Sequence, residues 1–454
     1  MSTRTLPGLS AINGRIITPE DAEYDSARSV FYGGADLRPA VIVRAADADD
    51  VARAISFARE SGLELAVRGG GHSNAGHSTT DGGIVLDLKE MKALDIDPES
   101  RTAWAQTGLT AVEYSKAADA HGLATGFGDT GSVGIGGITL GGGVGYLARK
   151  HGLTIDDLLA ADVVTADGQL LRADADTHAD LFWAIRGGGG NFGVATRFKY
   201  RLHELGSCVG GMLLLPATAS TIEEFVSLAE AAPDELSTIA NVMPAPPMPF
   251  VPAEHHGRLA ILALMVYAGD PDAGDRAIAP FRALAAPIVD LVHPMRYPEI
   301  YPPDDPSYHP IATGRTMFVD VIDRRSAETI VDRLESSTAN MRVAQIRVLG
   351  GAVARVPVEA TAYAHRRSRI MVNVAALYAS AEEAPIYEPW VESFAAALRR
   401  GGTGAYVNFL SDEGEARVRA AYPGPTWDRL VAIKRRYDPT NLFRLNQNIP
   451  PALQ

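Results

Sequence analysis

The stretch that most constrains this chain is Arg68-Gly69-Gly70-Gly71-His72-Ser73-Asn74-Ala75-Gly76-His77, set directly behind the apolar run Leu65-Ala66-Val67. Three consecutive glycines let a backbone approach a ligand where a Cβ would collide, and they leave amide N–H groups facing it. Such a turn suits a pyrophosphate. His72 follows at once, and Asp81-Gly82-Gly83 returns the chain into a second apolar strand at residues 84–88. Upstream, residues 39–43 read as a strand. Asp47 then opens an amphipathic helix with Val51, Ile55 and Ala58 on one stripe, closed by Gly62. The opening is therefore a β-α-β unit feeding a glycine–histidine loop.

Two more glycine-dense segments follow. Residues 126–145 interleave glycine with Val133, Ile135, Ile138 and Leu140, which predicts packed chain rather than a linker. Buried backbone with few side chains suits contact with a flat, polar-edged ring. The third segment, Gly188-Gly189-Gly190-Asn191-Phe192-Gly193, fits G-x-G-x-x-G, but that fingerprint needs a strand before it and a helix after it. Here a helix over residues 180–185 precedes and a strand over 194–200 follows, so a doubly wound nucleotide site is rejected. P-loop and H-E-x-x-H strings are absent. His72 and His77 sit five apart on a glycine loop without a third ligand, so no metal site is predicted.

Composition narrows the rest. A chain of 454 residues with 46% hydrophobic content can fill two or three domains, and a net charge of -13 speaks against a nucleic-acid groove or an anionic membrane surface. One cysteine, Cys208, allows neither an intrachain disulfide nor a cysteine-based zinc site. With no apolar run of about 18 residues and no signal-like start in residues 1–19, a cytoplasmic protein is expected. Past Leu205 the pattern changes to strands at 211–215, 259–266, 343–349 and 370–378, mixed with helices at 222–231, 276–284 and 327–336. This predicts an α+β unit with an antiparallel sheet. It is inserted rather than appended, because residues 405–409, a helix over 427–437 and Asn446-Gln447-Asn448-Ile449 follow it. The expected boundaries are 1–206, 207–400 and 401–454.

Four landmarks stand in one order: Arg68 to Gly76; Gly134-x-Gly136-Gly137 with Gly141-Gly142-Gly143-x-Gly145; Asp180-Leu181-Phe182-Trp183-Ala184 with Arg186-Gly187-Gly188-Gly189; and Tyr437-Asp438-Pro439 through Ile449. Together they resemble the berberine-bridge branch of the vanillyl-alcohol oxidase flavoenzymes. The likeness covers residues 20–206 and 400–454 at motif level, and the middle unit only in layout. It implies an α+β protein with a two-subdomain FAD-binding domain, completed by the C-terminal segment. The inserted sheet would roof the isoalloxazine, and FAD would be bonded through its 8α-methyl to His72. Bicovalent members carry a cysteine just upstream of V-G-x-G-G. Here the segment reads Asp129-Thr130-Gly131-Ser132, with Thr130 at or near that place, so a single link is expected.

The resemblance implies cofactor contacts from Arg68, Gly69, Gly70, Gly71, His72, Ser73, Gly76 and His77. A second group is Thr130, Gly131, Ser132, Val133, Gly136, Gly137, Thr139, Gly142, Gly143 and Gly145, joined by Val194, Asn446, Gln447 and Asn448. His77 either orients the flavin or is a solvated loop histidine. Tyr406 matches a family tyrosine in a Tyr-x-Asn strand and is the candidate base or substrate positioner. A phenol of pKa about 10 needs a donor beside it for that role, and Asn408 would share its strand face. A core tyrosine is the alternative. Gln345 and Arg347 alternate with Ile346 and Val348. If the apolar face packs on helices, the polar pair faces the cavity, where Arg347 would hold a carboxylate, phenolate or enolate oxygen; a surface ion pair is the alternative. Tyr363, His365 and Arg366 form a weaker cluster of the same kind, and Trp183 reads as core.

The activity implied is an FAD-dependent oxidase. It would take hydride from a small or medium alcohol, phenolic, polyketide or amine substrate and reduce dioxygen to hydrogen peroxide. An oxygenating flavoenzyme and a non-catalytic flavin-binding protein stand as alternatives, and a nicotinamide-linked dehydrogenase rests only on the misplaced third loop. The expected partners are a small-molecule substrate and dioxygen, with no nucleic acid and no membrane, in a monomer or homodimer.

Overall fold

Strands β1 (Arg15–Ile17) and β2 (Val41–Arg44), helix α1 (Ala48–Ser61) and strands β3 (Leu65–Arg68) and β4 (Ile84–Asp87) build the first layer of this computed structural model. The model describes residues 7–34, 36–400 and 402–451. The sheet order is β1-β2-β4-β3, with β4 parallel to both β2 and β3. Asp47 caps α1 by accepting the Asp50 N–H, and Gly62 closes it at φ +69°. That left-handed value favours glycine. The glycine–histidine loop leaves the carboxyl end of β3.

A second sheet is wholly antiparallel. Strands β5 (Leu94–Asp97), β6 (Thr102–Gln106), β7 (Leu158–Val164), β8 (Leu170–Asp174) and β9 (Val194–Arg201) take the order β5-β6-β9-β7-β8. Between β6 and β7 run α2 (Ala111–Asp119) and α3 (Ile135–Gly141). Helix α3 lies within the segment expected to be packed, for which no helix was predicted. Its glycines permit a helix because Ile135, Thr139 and the backbone of Gly136 and Gly141 are buried; packing outweighs the poor propensity of glycine.

The inserted unit hangs six long antiparallel strands in one sheet: β10 (Cys208–Pro216), β11 (Leu236–Pro244), β12 (Leu259–Tyr267), β13 (Ile311–Val319), β14 (Met341–Val348) and β15 (Ile370–Tyr378). Their order is β10-β12-β11-β14-β15-β13, with two short strands on the outer edge of β10. Helices α4 (Ala219–Ala231), α5 (Pro271–Arg282), α6 (Arg324–Ser336) and α7 (Ala384–Arg399) flank it. Side chains from these helices and from one face of the sheet, including Ala344, Ile346 and Val348, make one apolar core. Its other face is left for the cavity.

Strands β11 and β13 and helix α7 were not predicted. Gly314-Arg315 interrupts the alternation of β13, and β11 runs into a proline-rich stretch, so neither shows a clean period of two. After the insertion, α8 (Pro425–Tyr437) returns to the second sheet, where Trp427, Leu430, Ile433 and Tyr437 share a core with Phe182, Trp183 and Phe198. No helix among the described residues is long and apolar enough to cross a membrane.

Candidate active site

A cavity of about 650 Å³ lies between the two glycine-bearing layers and the open face of the inserted sheet. Gly69, Gly70, Gly71, His72 and Ser73 line it. The carbonyls of Gly71 and Ser73 accept from the Phe31 and Gly76 N–H groups, whereas no amide N–H from Gly69 to Ser73 has a protein acceptor among the described residues. A run of unpaired N–H groups around a cavity is an anion cradle. A Cβ on Gly70 would stand 2.2 Å from Gly134 N, so the first loop and the second glycine segment meet backbone to backbone. Gly137, on α3, has nothing within 4 Å of its Cβ position and opens onto the same space.

The His72 ring stacks on Phe31, centroids 4.2 Å apart at 20°. Burial pulls its pKa down to about 4, against smaller opposing effects of the Asp304 carboxylate and the Ser132 backbone. The imidazole is therefore neutral near pH 7 and keeps a nitrogen lone pair. His77 also lines the cavity, with its pKa lowered by burial; its N–H donates to Ser73 Oγ at 3.2 Å.

Thr130, Val133, Gly136, Val194, Asn446 and Gln447 complete the floor and its rim. Asn191 joins the rim to the tail: its Nδ2 donates to the Gly188 and Gln447 carbonyls and its Oδ1 accepts the Ile449 N–H at 3.0 Å. The third glycine loop thus faces the cavity through Gly189, Gly190, Asn191 and Gly193. The rejection of a doubly wound site there holds, since a helix precedes the loop and β9 follows it. The loop is held at this cavity by the Gly187 and Gly189 N–H groups, which donate to the Leu140 carbonyl of α3 at 2.9 and 3.0 Å, and by the C-terminal segment.

Several predicted cofactor contacts lie behind the lining instead. The Arg68 guanidinium is buried against Asp87 at 3.0 Å and the Ala27 carbonyl at 2.6 Å, fixing the end of β3. Thr139 Oγ1 bonds the Tyr200 hydroxyl at 2.8 Å beneath α3. Gly76 is an open turn at φ +75°, Gly131 packs on Tyr301 and Val112, and Ser132 bears on the His72 ring through its backbone. Gly142, at φ +135°, faces the rings of Tyr363 and Tyr406, and a Cβ on Gly145 would lie 1.9 Å from the Phe127 carbonyl oxygen. Gly143 gives its N–H to Tyr406, and Asn448 is turned inward with Oδ1 unpartnered. These residues are not among those that line the cavity; they shape the cradle from behind.

Tyr406 and Asn408 line the cavity beside the second glycine segment, where Asn408 Nδ2 also donates to the Ile138 carbonyl at 3.1 Å. Tyr406 Oη accepts from the Gly143 N–H at 2.9 Å and from Asn408 Nδ2 at 3.0 Å. The expected strand is absent, because residues Val407–Phe409 form a single 3-10 turn; the turn brings Asn408 back onto the phenol. Burial raises the Tyr406 pKa, and the Gly143 and Asn408 donors partly offset it.

From the roof, Met341, Val343 and Gln345 of β14 and Asn373, Ala375 and Leu377 of β15 face inward. Arg347 does not line the cavity, and it is no surface pair either. It is 3% exposed, and its donors reach Asp129 Oδ2 at 2.6 Å, the Val144 carbonyl at 3.1 Å and Gln345 Oε1. Tyr363, His365 and Arg366 are also away from the cavity: Tyr363 packs edge-on against Tyr406, His365 stacks on Phe318, and Arg366 pairs with Asp156 at 2.7 Å. Trp183 is core.

Phe31, Tyr32, Asp129 and Asn373 line the cavity without having been predicted. Asn373 was within reach of a period-two reading of residues 370–378, but the two aromatic residues of the lead-in carry no local pattern. The combination fits an FAD. The unpaired amides suit its pyrophosphate, the glycine-walled slot suits its ring, and a neutral histidine stands at the edge.

Comparison with known proteins agrees. Residues 39–174 match the FAD binding domain model, and residues 405–450 match the berberine and berberine-like model. The (R)-6-hydroxynicotine oxidase of Paenarthrobacter nicotinovorans is 32% identical over 99% of both chains. The xylooligosaccharide oxidase of Thermothelomyces thermophilus is 28% identical over 95% of this chain and 91% of that one. Among solved structures, 6-hydroxy-D-nicotine oxidase from Arthrobacter nicotinovorans superposes with a TM-score of 0.87 at 29% identity over the whole of both chains. The BBE-like 1 protein of Physcomitrella patens shares the fold with a TM-score of 0.87 at 23% identity, over 99% of this chain and all of that one. Fold and cavity define an FAD-dependent oxidoreductase. Within that class, the chain belongs to the berberine-bridge-like branch of the vanillyl-alcohol oxidase family.

Proposed function

We propose that this enzyme is an oxidase in which His72 carries FAD through a single bond to the 8α-methyl group. Its substrate would be a small or medium alcohol, phenolic, polyketide or amine compound. When bound, the flavin would supply the redox chemistry, taking up a hydride from substrate carbon and returning the electrons to dioxygen as hydrogen peroxide. The observation that carries this reading is that one cavity is lined by the glycine–histidine cradle, by Tyr406 and by Gln345. A neutral, buried His72 held flat by Phe31 has the lone pair that such a bond needs. Thr130 stands at or near the place of the cysteine in bicovalent members, which supports a single link.

The chain's own residues divide the remaining work. The amides of residues 69–73 hold the pyrophosphate. Both acceptor positions of the Tyr406 oxygen are filled by N–H groups, so its own hydrogen is left to donate into the cavity. The same two donors favour the phenolate, which makes Tyr406 the group placed to take a proton from a substrate hydroxyl or amine. Residues 1–206 with 401–454 form the cofactor-holding unit and 207–400 the substrate-facing one, a division supported by the core that α8 shares with the second sheet.

The test is to denature the purified protein in acid and weigh the polypeptide. An added FAD mass that disappears in His72→Ala is expected, and an unmodified wild-type mass would end the covalent reading. Peroxide formed as an alcohol, phenol or amine is oxidised tests the oxidase half.

A further inference from the structure

The roof carries a chain of side-chain hydrogen bonds whose direction is fixed at both ends. Arg347 has only donors, and its Nε and Nη2 reach Gln345 Oε1 at 3.0 and 2.8 Å. Gln345 Nε2 therefore points the other way and donates to Asn241 Oδ1 at 2.9 Å. Asn241 in turn donates Nδ2 to the Leu262 carbonyl at 3.2 Å, a group that can only accept. A guanidinium at one end and a main-chain carbonyl at the other leave one consistent orientation for both amides. Asp129 and the Val144 carbonyl hold the guanidinium itself. The relay thus runs from the inserted sheet into the cofactor-binding layer.

What it presents to the cavity is specific. Gln345 Oε1 is occupied by Arg347, and Nε2 has one N–H beyond the one given to Asn241. Across the strand pair its register partner is Asn373, whose Oδ1 has no partner and whose amide is not held in this way. Among the described residues that line the cavity there is no lysine or arginine, and Asp129 is the one carboxylate. An anion beside Gln345 would find a neutral donor and a carboxylate, but no available cation. Burying a charge without a counter-charge is strongly unfavourable.

We infer that Gln345 sets specificity for the polar group of the substrate, with Arg347 and Asn241 as its positioning residues: the relay offers a single neutral N–H, selecting an uncharged acceptor and rejecting carboxylate- or phosphate-bearing compounds. The inference rests on the flavin site proposed above and narrows its substrate class to compounds uncharged at that end.

The experiment titrates the flavin-loaded enzyme with benzamide and with benzoate, following the visible flavin band. Wild type is expected to bind benzamide about tenfold or more tightly than benzoate, a difference of one decade in Kd. In Gln345→Leu the preference falls to about twofold or less. In Arg347→Met it falls similarly although Gln345 is still present, because its amide can then turn over, and Arg347→Lys restores part of it. A loss of packing alone would not make rescue depend on donor chemistry. Asn241→Leu, at the far end of the relay, gives an intermediate ratio and stands in if Arg347→Met does not fold. Equal binding of the two probes by wild type, an unchanged ratio in Gln345→Leu, or no spectral response to either probe would overturn the proposal. Colourless protein would instead mark failure of the flavin reading, so the two failures are distinct.

Discussion

The floor of the cavity is made of main chain, and its roof of side chains. On the floor, glycines at 69–71 and 134–137 bring backbone against backbone and leave N–H groups pointing inward. On the roof, alternate residues of β14 and β15 stand out from a sheet whose other face is sealed by helices. Where the two segments meet, at Gly70 and Gly134, the floor tolerates almost no change, since an added Cβ would lie 2.2 or 2.4 Å from a backbone nitrogen of the facing segment. The roof can change residue by residue while the sheet stays intact, which under the proposed function would separate recognition of a constant cofactor from recognition of a variable substrate.

The sharpest way to break that contrast is Gly70→Ala. Its Cβ would press on Gly134 N at 2.2 Å, and loss of about 3 kcal/mol or more is expected, read as protein that is insoluble or lacks flavin. A folded, yellow Gly70→Ala protein would show the floor to be more forgiving than its geometry. Next in size is Tyr406→Phe. It should keep its flavin but lower the rate of anaerobic flavin reduction about 10²–10⁴-fold. Because burial raises the Tyr406 pKa, the wild-type rate should climb on the alkaline side as the phenol ionises, and this limb should vanish in the variant.

A smaller effect is expected from the roof. Val343→Ala and Asn373→Ala should shift KM for a given substrate several-fold, with flavin content unchanged and stability altered by about 1 kcal/mol. Equal damage from roof and floor substitutions would erase the distinction. The smallest effect concerns pH and lies outside both walls. His151 is pushed to about 3, first by burial and then by His203 and Lys150. A folded-state pKa below the unfolded value means that stability is full above about 6.5 and is lost as pH falls below it. The urea midpoint should therefore slope downward from neutral to mildly acidic pH, and His151→Gln should flatten that slope.

Much of the floor was legible because its signals are local. A strand, three glycines and a histidine must lie together wherever they fold, and a helix before the third glycine loop is enough to exclude a doubly wound site. The roof was half legible. The alternation through Gln345 and Arg347 identified the inward face correctly, but not where along it the cavity ends. Arg347 stands one step too far, where Asp129 and the Val144 carbonyl close over it. Asn408 does meet Tyr406, through a 3-10 turn rather than the strand that was predicted. Phe31 on His72 could not be read, since nothing in the lead-in sequence announces a partner 41 residues away.

The sequence by itself determined where bare backbone lines the cavity, that His72 stands beside it, and that a helix beyond residue 400 returns to pack on the second sheet. Those properties follow from the absence of a Cβ and from hydrophobic period, both written in neighbouring residues. Only the tertiary structure decided which polar side chains reach the cavity and which are consumed by each other. Asp129, Val144, Asn241, Gln345 and Arg347 come from distant parts of the chain, and the direction of a hydrogen bond exists only once its partners meet.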